Sequence, residues 1–204
     1  MTIDRKEQRK LQQRQEILDA AEQVFAQQGY HPTTMDSVAE ECGWSKGTLY
    51  LHFENKEDLF FSILISKIET LSALVISELE NTSSLEAILE TLIHVQFDFF
   101  QQHKSFMQLA ISEQGKAMQS SSTGKRERMV ANQIDYINQI TAQVSSHLQD
   151  DSPVSPITFT RAVSGAIHIH MMAWLMHPDS VNLDELKAEI KELYLNGILP
   201  YKKH

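Results

Sequence analysis

Apolar residues recur along this chain at intervals of three and four, the spacing of one face of an α-helix. The first such segment covers about residues 4–28, and Gly29 follows it as a helix stop. The pattern predicts further helices over about residues 35–42, 46–52 and 56–79. Alternation of apolar and polar residues, which marks a half-buried strand, does not persist over any long stretch. We therefore predict an all-α protein.

The same periodicity predicts five more helices beyond residue 80, for about nine in all. Polar stretches that separate them lie at residues 81–84, 119–124 and 150–156. The fifth helix is expected to begin at Leu85, and the sixth to cover about residues 105–118. The seventh should end near Leu148, the eighth should cover residues 157–176, and the ninth should stop at Gly197.

The second to fourth helices each follow a side chain that can accept a hydrogen bond from the helix N-terminus. Thr33 with Asp36 fits a capping box for the second helix. Gly43 lies in the short turn before the third helix, where a residue without a β-carbon is needed. Two short helices joined by such a turn form a helix-turn-helix. The other predicted caps are Thr34, Ser45 and the pair Asn55 and Asp58.

The third predicted helix has one apolar side and one side that stays outward. Leu49 and Phe53 are expected to pack against the first two helices, and the outward residues are small or form hydrogen bonds. Such a surface suits a recognition helix in the major groove of DNA. Thr33, Thr34 and Lys56 lie at helix N-termini, where backbone amides can hold phosphate oxygens. The candidate DNA-binding residues are Thr33, Thr34, Ser45, Lys46, Gly47, Thr48, Tyr50, His52 and Lys56.

The net charge of −9 means that bulk attraction cannot supply DNA binding. Residues 1–56 carry −2 and residues 57–204 carry −7, so affinity must come from placed groups. Alternative interpretations stay open, since Tyr50 also fits a half-buried aromatic residue, and the lysines fit a solvated surface. A basic arm precedes the motif and is either a solvated helix end or a set of contacts to the DNA backbone; it holds Arg5, Lys6, Arg9, Lys10 and Arg14.

The stretch over residues 14–60 resembles the TetR (tetracycline-repressor) family of bacterial regulators. The resemblance extends in order over about residues 12–62, which makes it far more specific than a generic helix-turn-helix. It departs at Cys42, Trp44 and Leu51, which we expect to change local packing. The matching positions include residues 17–21, Phe25, Gly29, Tyr30, Thr33, Thr34, Val38, Ala39, Gly43, residues 45–50, His52, Phe53, Lys56, Glu57 and Leu59.

The resemblance implies a homodimer whose recognition helices enter successive major grooves of a palindromic operator, about 34 Å apart. It implies a DNA-binding domain over residues 1–56, and a helical ligand-binding and dimerisation domain over residues 57–204. Ligand binding would shift the fourth helix and release the DNA. We therefore expect a repressor that is released by a small apolar or amphipathic ligand.

Other functions remain as alternatives: an activator with the same fold, or a small helical enzyme or binding module. The sequence has no Gly-rich phosphate loop, GxSxG motif or HExxH motif, so we predict no catalytic residues and no cofactor. His168 and His170 are two residues apart and therefore point to different sides of a helix, so we predict no metal site either.

A stretch of His, Met and Trp at residues 168–177 belongs either to a ligand pocket or to an ordinary core, because Met fills gaps in both. The candidate ligand-binding residues are Phe97, Phe100, Met107, Met118, His168, Met171, Met172 and Trp174. The last two helices are also candidates for the dimer interface, with packing inside one chain as the alternative. The candidate interface residues are Ala162, Gly165, Ala166, Ile169, Ala173, Leu186, Ile190, Leu193 and Tyr194.

Location in the cytoplasm is expected from three features. The charged N-terminal segment does not resemble a signal peptide. The single cysteine, Cys42, excludes an internal disulfide and is expected to be a packed thiol. No uninterrupted apolar run reaches the roughly 18 residues of a membrane-spanning helix, so we expect no membrane partner.

Overall fold

The structure is a computed structural model that describes residues 4–120, 123–148 and 152–197. Throughout these residues the regular secondary structure is helical, which confirms the predicted all-α fold class. The helices are α1 (Arg5–Gln28), α2 (Met35–Cys42), α3 (Lys46–Tyr50), α4 (Lys56–Leu79), α5 (Leu85–Gln102), α6 (Lys104–Ser120), α7 (Thr123–Ser145), α8 (Pro156–Met176) and α9 (Leu183–Asn196), with a short 3-10 turn at Pro178–Ser180 before α9. The side chains of residues 114–120 and 123 are outside the description.

Most predicted boundaries agree with the structure within two residues, but the predicted break at 119–124 is wrong for four of its six residues. Helix α6 continues to Ser120 and α7 already begins at Thr123, while residues 121–122 are outside the description. Ser and Thr cost only a few tenths of a kcal/mol in a helix interior, which the continued backbone hydrogen bonds offset. The third helix ends at Tyr50 rather than near residue 52, and α7 ends at Ser145 rather than near residue 148.

The capping box of α2 is shifted by one residue from the predicted pair. Thr34 and Ser37 form it, because each side chain accepts a hydrogen bond from the other residue's backbone N–H at 3.1 Å. The predicted box of Thr33 with Asp36 is wrong, since the buried Thr33 hydroxyl donates to the Gly29 carbonyl at 2.7 Å. The predicted caps of the next two helices are confirmed: Ser45 Oγ accepts from Thr48 N–H at 3.1 Å, and Asn55 Oδ1 accepts from Asp58 N–H at 2.8 Å.

The chain forms two compact units that differ from a simple division along the sequence. The N-terminal unit consists of Met1–Ile68 with Ser105–Glu127, and the C-terminal unit of Glu69–Lys104 with Arg128–His204. The predicted boundary at residue 56 separates a DNA-binding domain from a ligand-binding domain by function, and it stays a prediction.

Aromatic side chains form the centre of the N-terminal unit. The Phe60 ring of α4 lies 5.1 Å from both Phe25 and Tyr30, and 5.3 Å from Phe106 of α6. Helix α1 packs on α2, and α2 packs on α3. A largely buried ion pair joins Lys67 of α4 to Glu22 of α1 at 2.5 Å, with both side chains only 13% exposed.

In the C-terminal unit, α5 packs on α8 and α9, and α8 packs on α9. Leu186 and Ile190 of α9 are buried inside the single chain, as the alternative of internal packing requires. Leu193 of α9 and Ile169 of α8 are exposed apolar residues, and Ile169 is 63% exposed.

Helix α4 is long and apolar enough, by length and composition alone, to cross a membrane. The requirement for an uninterrupted apolar run missed it, since Ser62, Ser66 and Lys67 interrupt the run. A helix at the centre of a protein core passes the same test, and Leu59 and Phe60 of α4 are buried in this way.

Two glycines near the turn give a matched test of this local structure. Gly43 has a φ of 70°, and an added Cβ would meet no atom within 4 Å, so Gly43→Ala should lower the free energy of unfolding by about 1 kcal/mol through backbone strain alone. Gly47 lies in α3, and an added Cβ would meet Ser45 Oγ at an ordinary 3.7 Å, so Gly47→Ala should raise it by roughly 0.5 kcal/mol. Urea unfolding of both variants measures the difference. Equal effects would contradict the assignment of Gly43 to a left-handed turn.

Candidate nucleic-acid interface

The turn between α2 and α3 fixes the direction of α3. Gly43 adopts the left-handed conformation, and the Trp44 N–H donates to the Ala39 carbonyl at 3.2 Å. Leu49 and Phe53 are buried, so the predicted inward side of α3 is confirmed. The opposite side of α3 therefore faces solvent.

This outward side brings together five of the predicted DNA-binding residues. Tyr50 is 48% exposed, while Ser45 Oγ and Thr48 Oγ1 share a hydrogen bond of 2.8 Å. The Lys46 ammonium lies 2.8 Å from the Asp36 carboxylate of α2, and this hydrogen bond raises the pKa of Lys46 above its ordinary value. The arrangement presents hydroxyl groups and one ammonium group that is partly neutralised by its neighbour. The five residues are Ser45, Lys46, Gly47, Thr48 and Tyr50.

His52 follows α3 and contacts α1. Its Nε2 lies 2.9 Å from Gln13 Oε1 and donates to it, since an amide oxygen only accepts. Burial lowers the pKa of His52 below its ordinary value, and the positive charges of Lys10 and Arg14 lower it further. The imidazole is therefore neutral at pH 7, with its single N–H donated to Gln13 and its Nδ1 left as an acceptor.

The remaining predicted residues lie at the starts of α2 and α4. Thr34 is exposed at the N-terminus of α2, but the Thr33 hydroxyl is buried and already donates to a backbone carbonyl. The Lys56 ammonium donates to the carbonyls of Tyr30 and His31 at 2.9 and 3.1 Å. It also lies 4.6 Å from the centre of the Tyr30 ring. Lys56 therefore fastens the loop before α2, besides any contact that it makes outside the chain.

The predicted ligand-binding residues are not all in one unit. Met107 is buried in the N-terminal unit, and the side chain of Met118 lies outside the described residues. The other six candidates belong to the C-terminal unit: Phe97, Met171 and Trp174 are buried, Phe100 and Met172 are half-buried, and His168 is exposed. His168 therefore fits a pocket least well of the six.

Three hydroxyl groups that the sequence analysis missed lie in the C-terminal unit. Tyr136 Oη, Thr160 Oγ1 and Ser164 Oγ are buried, with no hydrogen-bond partner among the described residues. Thr160 and Ser164 are four residues apart and so share a face of α8 with the buried Ile167. A buried hydroxyl without a partner costs about 1–3 kcal/mol, which a ligand with an acceptor oxygen would recover. The sequence signal for these groups is the spacing of Thr160 and Ser164, which places two hydroxyls on an otherwise apolar face of α8.

The residues that the structure describes include no group of three or more His, Cys, Asp or Glu side chains able to hold a metal ion.

Comparisons with known proteins agree with the geometry of the helix-turn-helix. The sequence model of the bacterial regulatory proteins of the tetR family matches residues 17–63. The fatty acid metabolism regulator protein of Bacillus subtilis is 26% identical to this chain in an alignment of 188 residues that covers 90% of this chain and 94% of that protein. The HTH-type transcriptional activator FasR of Mycolicibacterium smegmatis is 33% identical over 90 residues, which make up 44% of this chain and 41% of FasR.

A solved structure shares the fold over most of the chain. The transcriptional regulator FadR from Bacillus subtilis, in complex with stearoyl-CoA, matches with a TM-score of 0.70 and 21% identity. The match covers 90% of this chain and 98% of that chain. These relatives and the structural neighbour are regulators of transcription rather than enzymes.

Two buried threonines give a matched test of the unpaired hydroxyl. Thr160→Val removes a hydroxyl that has no described partner, so the free energy of unfolding should rise by about 1 kcal/mol. Thr33→Val removes the donor to the Gly29 carbonyl, so the free energy of unfolding should fall by about 1–2 kcal/mol. Urea unfolding compares the two variants. A destabilised Thr160→Val would mean that its hydroxyl has a partner in the folded protein.

Proposed function

Because the chain belongs to the TetR family of bacterial regulatory proteins, we propose that it represses transcription by binding a palindromic operator as a homodimer. The outward side of α3 carries this proposal, since it presents Lys46, Thr48 and Tyr50 beside a buried apolar side. The hydroxyl and ammonium groups of this five-residue helix match the donors and acceptors of base edges in a major groove. Thr34, Ser45, Gly47 and Lys56 supply contacts to the backbone of the DNA. His52, whose one N–H is donated to Gln13, holds α1 beside the end of α3.

The proposed dimer interface uses the exposed faces of α8 and α9. Ala162, Gly165 and Ala173 are exposed small residues on α8, and they allow a second helix to approach closely. Ile169 and Leu193 add exposed apolar area that water covers in a single chain. Packing of α8 and α9 against the same helices of a second copy would bury both the small residues and the exposed apolar residues. Leu186 and Ile190 contribute indirectly, because they hold α9 against the rest of the unit.

The proposed effector is a long-chain acyl-CoA thioester. The relative that matches along 90% of the chain is a fatty acid metabolism regulator, and the solved FadR structure contains stearoyl-CoA. The buried face of α8 offers apolar contacts to an acyl chain, and the hydroxyls of Thr160 and Ser164 could donate to a thioester carbonyl. Binding there would favour a state of the dimer that does not fit the operator.

A second candidate function is activation of transcription. The activator FasR is 33% identical over 44% of the chain, a stretch that matches at higher identity than the fatty acid metabolism regulator does. Expression of a reporter from the operator, with the gene present or deleted, separates the two: loss of a repressor raises expression, and loss of an activator lowers it. Either function places the protein in the cytoplasm with its DNA.

Substitutions of two residues should change DNA affinity in opposite directions. Asp36→Asn removes a carboxylate that neutralises Lys46 and repels phosphates, so we expect binding to tighten by about threefold to tenfold. Tyr50→Ala removes an exposed ring from α3, so we expect binding to weaken by about tenfold or more.

Fluorescence anisotropy measures both effects on a 30-base-pair duplex selected by the wild-type protein from a random library. Thermal unfolding controls for stability, which neither surface change should alter by more than about 0.5 kcal/mol. If the wild-type protein selects no duplex, the proposed function is wrong. If both variants bind as the wild type does, the assignment of α3 is wrong.

Stearoyl-CoA should weaken binding of the same duplex by about 10-fold to 100-fold, the usual range of coupling between two sites. Free CoA and stearate serve as controls, since each lacks one part of the thioester. A complex that forms but ignores acyl-CoA of every chain length would exclude this effector class and leave DNA binding intact.

A further inference from the structure

A groove of about 570 Å³ lies beside α3 in the N-terminal unit. One wall comes from the first half of α1, with Lys6, Arg9 and Lys10. The other wall includes Trp44, from the turn before α3, and Leu51, which directly follows α3. Since Trp44 and Leu51 flank α3 in sequence, the groove runs alongside the helix proposed to enter the DNA.

The groove concentrates positive charge in an acidic protein. Lys6, Arg9 and Lys10 are spaced by three and four residues, so they share a face of α1, and all three are exposed. The lining also includes the carboxylate of Glu16, which accepts hydrogen bonds from Trp44 Nε1 at 3.2 Å and Gln12 Nε2 at 3.1 Å. The lining therefore carries three cations against one carboxylate, a net charge of +2.

The groove also exposes apolar area that packing inside the unit leaves uncovered. Leu51 is 77% exposed and Trp44 is 38% exposed, although residues of this size usually bury more of their surface. A row of cations beside exposed apolar groups matches a sugar–phosphate backbone, whose phosphates are charged and whose sugars have apolar edges.

We propose that this groove binds the sugar–phosphate backbone of the duplex that α3 enters, with Lys6, Arg9 and Lys10 paired to phosphates and with Trp44 and Leu51 against sugars. The inference rests on the proposed function and adds a second DNA-binding surface to it. Helix α3 has only five residues, so it can make few contacts by itself. Phosphate contacts in the groove raise affinity for every sequence and carry no base preference.

The salt dependence of DNA binding tests this proposal. Each phosphate contact contributes about 0.9 to the slope of log affinity against log salt concentration. The proposed homodimer carries two grooves, so the double variant Arg9→Gln/Lys10→Gln removes about four phosphate contacts. It should therefore reduce the slope by about 3.6, and should weaken binding by about 100-fold to 4,000-fold at 0.1 M salt. The loss should be the same for the selected 30-base-pair duplex and for a scrambled duplex, because backbone contacts do not read bases.

A charge-matched control is Arg126→Gln/Arg128→Gln on α7. Both side chains are exposed, and Glu69, the partner of Arg128, retains a hydrogen bond from Asn132 Nδ2 at 2.8 Å. The slope of this control should equal that of the wild type. Circular dichroism and thermal unfolding of both double variants verify that the fold is intact.

The outcomes separate this inference from the proposed function. If the wild type binds DNA and the groove variant keeps the wild-type slope, the groove inference is wrong and the proposed function stands. If the wild type binds no duplex, both are wrong. If the groove variant keeps its slope on DNA but loses affinity for polyglutamate, the groove is a site for acidic peptides and the inference is overturned. A loss restricted to the selected duplex would also overturn it, because a base would then be read.

Discussion

The contacts of the Phe60 ring hold the N-terminal unit together. This ring of α4 meets Phe25 of α1, Tyr30 of the loop before α2, and Phe106 of α6, all within 5.3 Å between ring centres. Helices α2 and α3 have eight and five residues, which is too short for either to be stable alone in water. Their geometry therefore depends on α1 and α4, and α1 and α4 meet at Phe60.

Ion pairs between helices also stabilise this unit. Lys67 and Glu22 join α4 to α1, and Lys125 of α7 pairs with Asp58 in the first turn of α4. Burial lowers the pKa of Lys125, and the charge of Arg14 lowers it further, while Ser62 Oγ accepts a hydrogen bond from its ammonium at 3.0 Å. Removing one partner of such a half-buried pair leaves a charge without its counterion, so these pairs disfavour other arrangements of the helices.

The sequence was sufficient to predict the helices and the inward side of α3, because both follow from periodicity and local caps. It was insufficient where a choice depended on tertiary contacts. Thr33 and Thr34 are equally good caps in sequence, and only the position of the Gly29 carbonyl turns Thr33 inward. Lys56 fits a phosphate contact by its place at a helix N-terminus, yet its ammonium reaches back to the loop of Tyr30.

The C-terminal unit shows the same limit. Apolar spacing predicted α8 and α9, but it did not distinguish Leu186 and Ile190, which are buried in the single chain, from the exposed Leu193. The groove beside α3 could not be predicted from the sequence either, since Lys6 and Leu51 are far apart in the chain and line the same groove only when α1 lies against the turn. Predicted ligand-binding residues fell in both units because hydrophobic type alone does not say which core a side chain joins.

The chain has only two tryptophans, and the fold places one in each unit. Trp44 is partly exposed beside the carboxylate of Glu16, while Trp174 is buried, with the Lys104 ammonium 5.3 Å from its ring centre. The fluorescence of an indole in contact with water has its maximum at a longer wavelength than that of a buried indole, so Trp44 and Trp174 emit at different wavelengths. The unmodified protein therefore carries an intrinsic optical probe for each unit, and events at the groove beside α3 and in the core of the C-terminal unit can be followed separately in one sample.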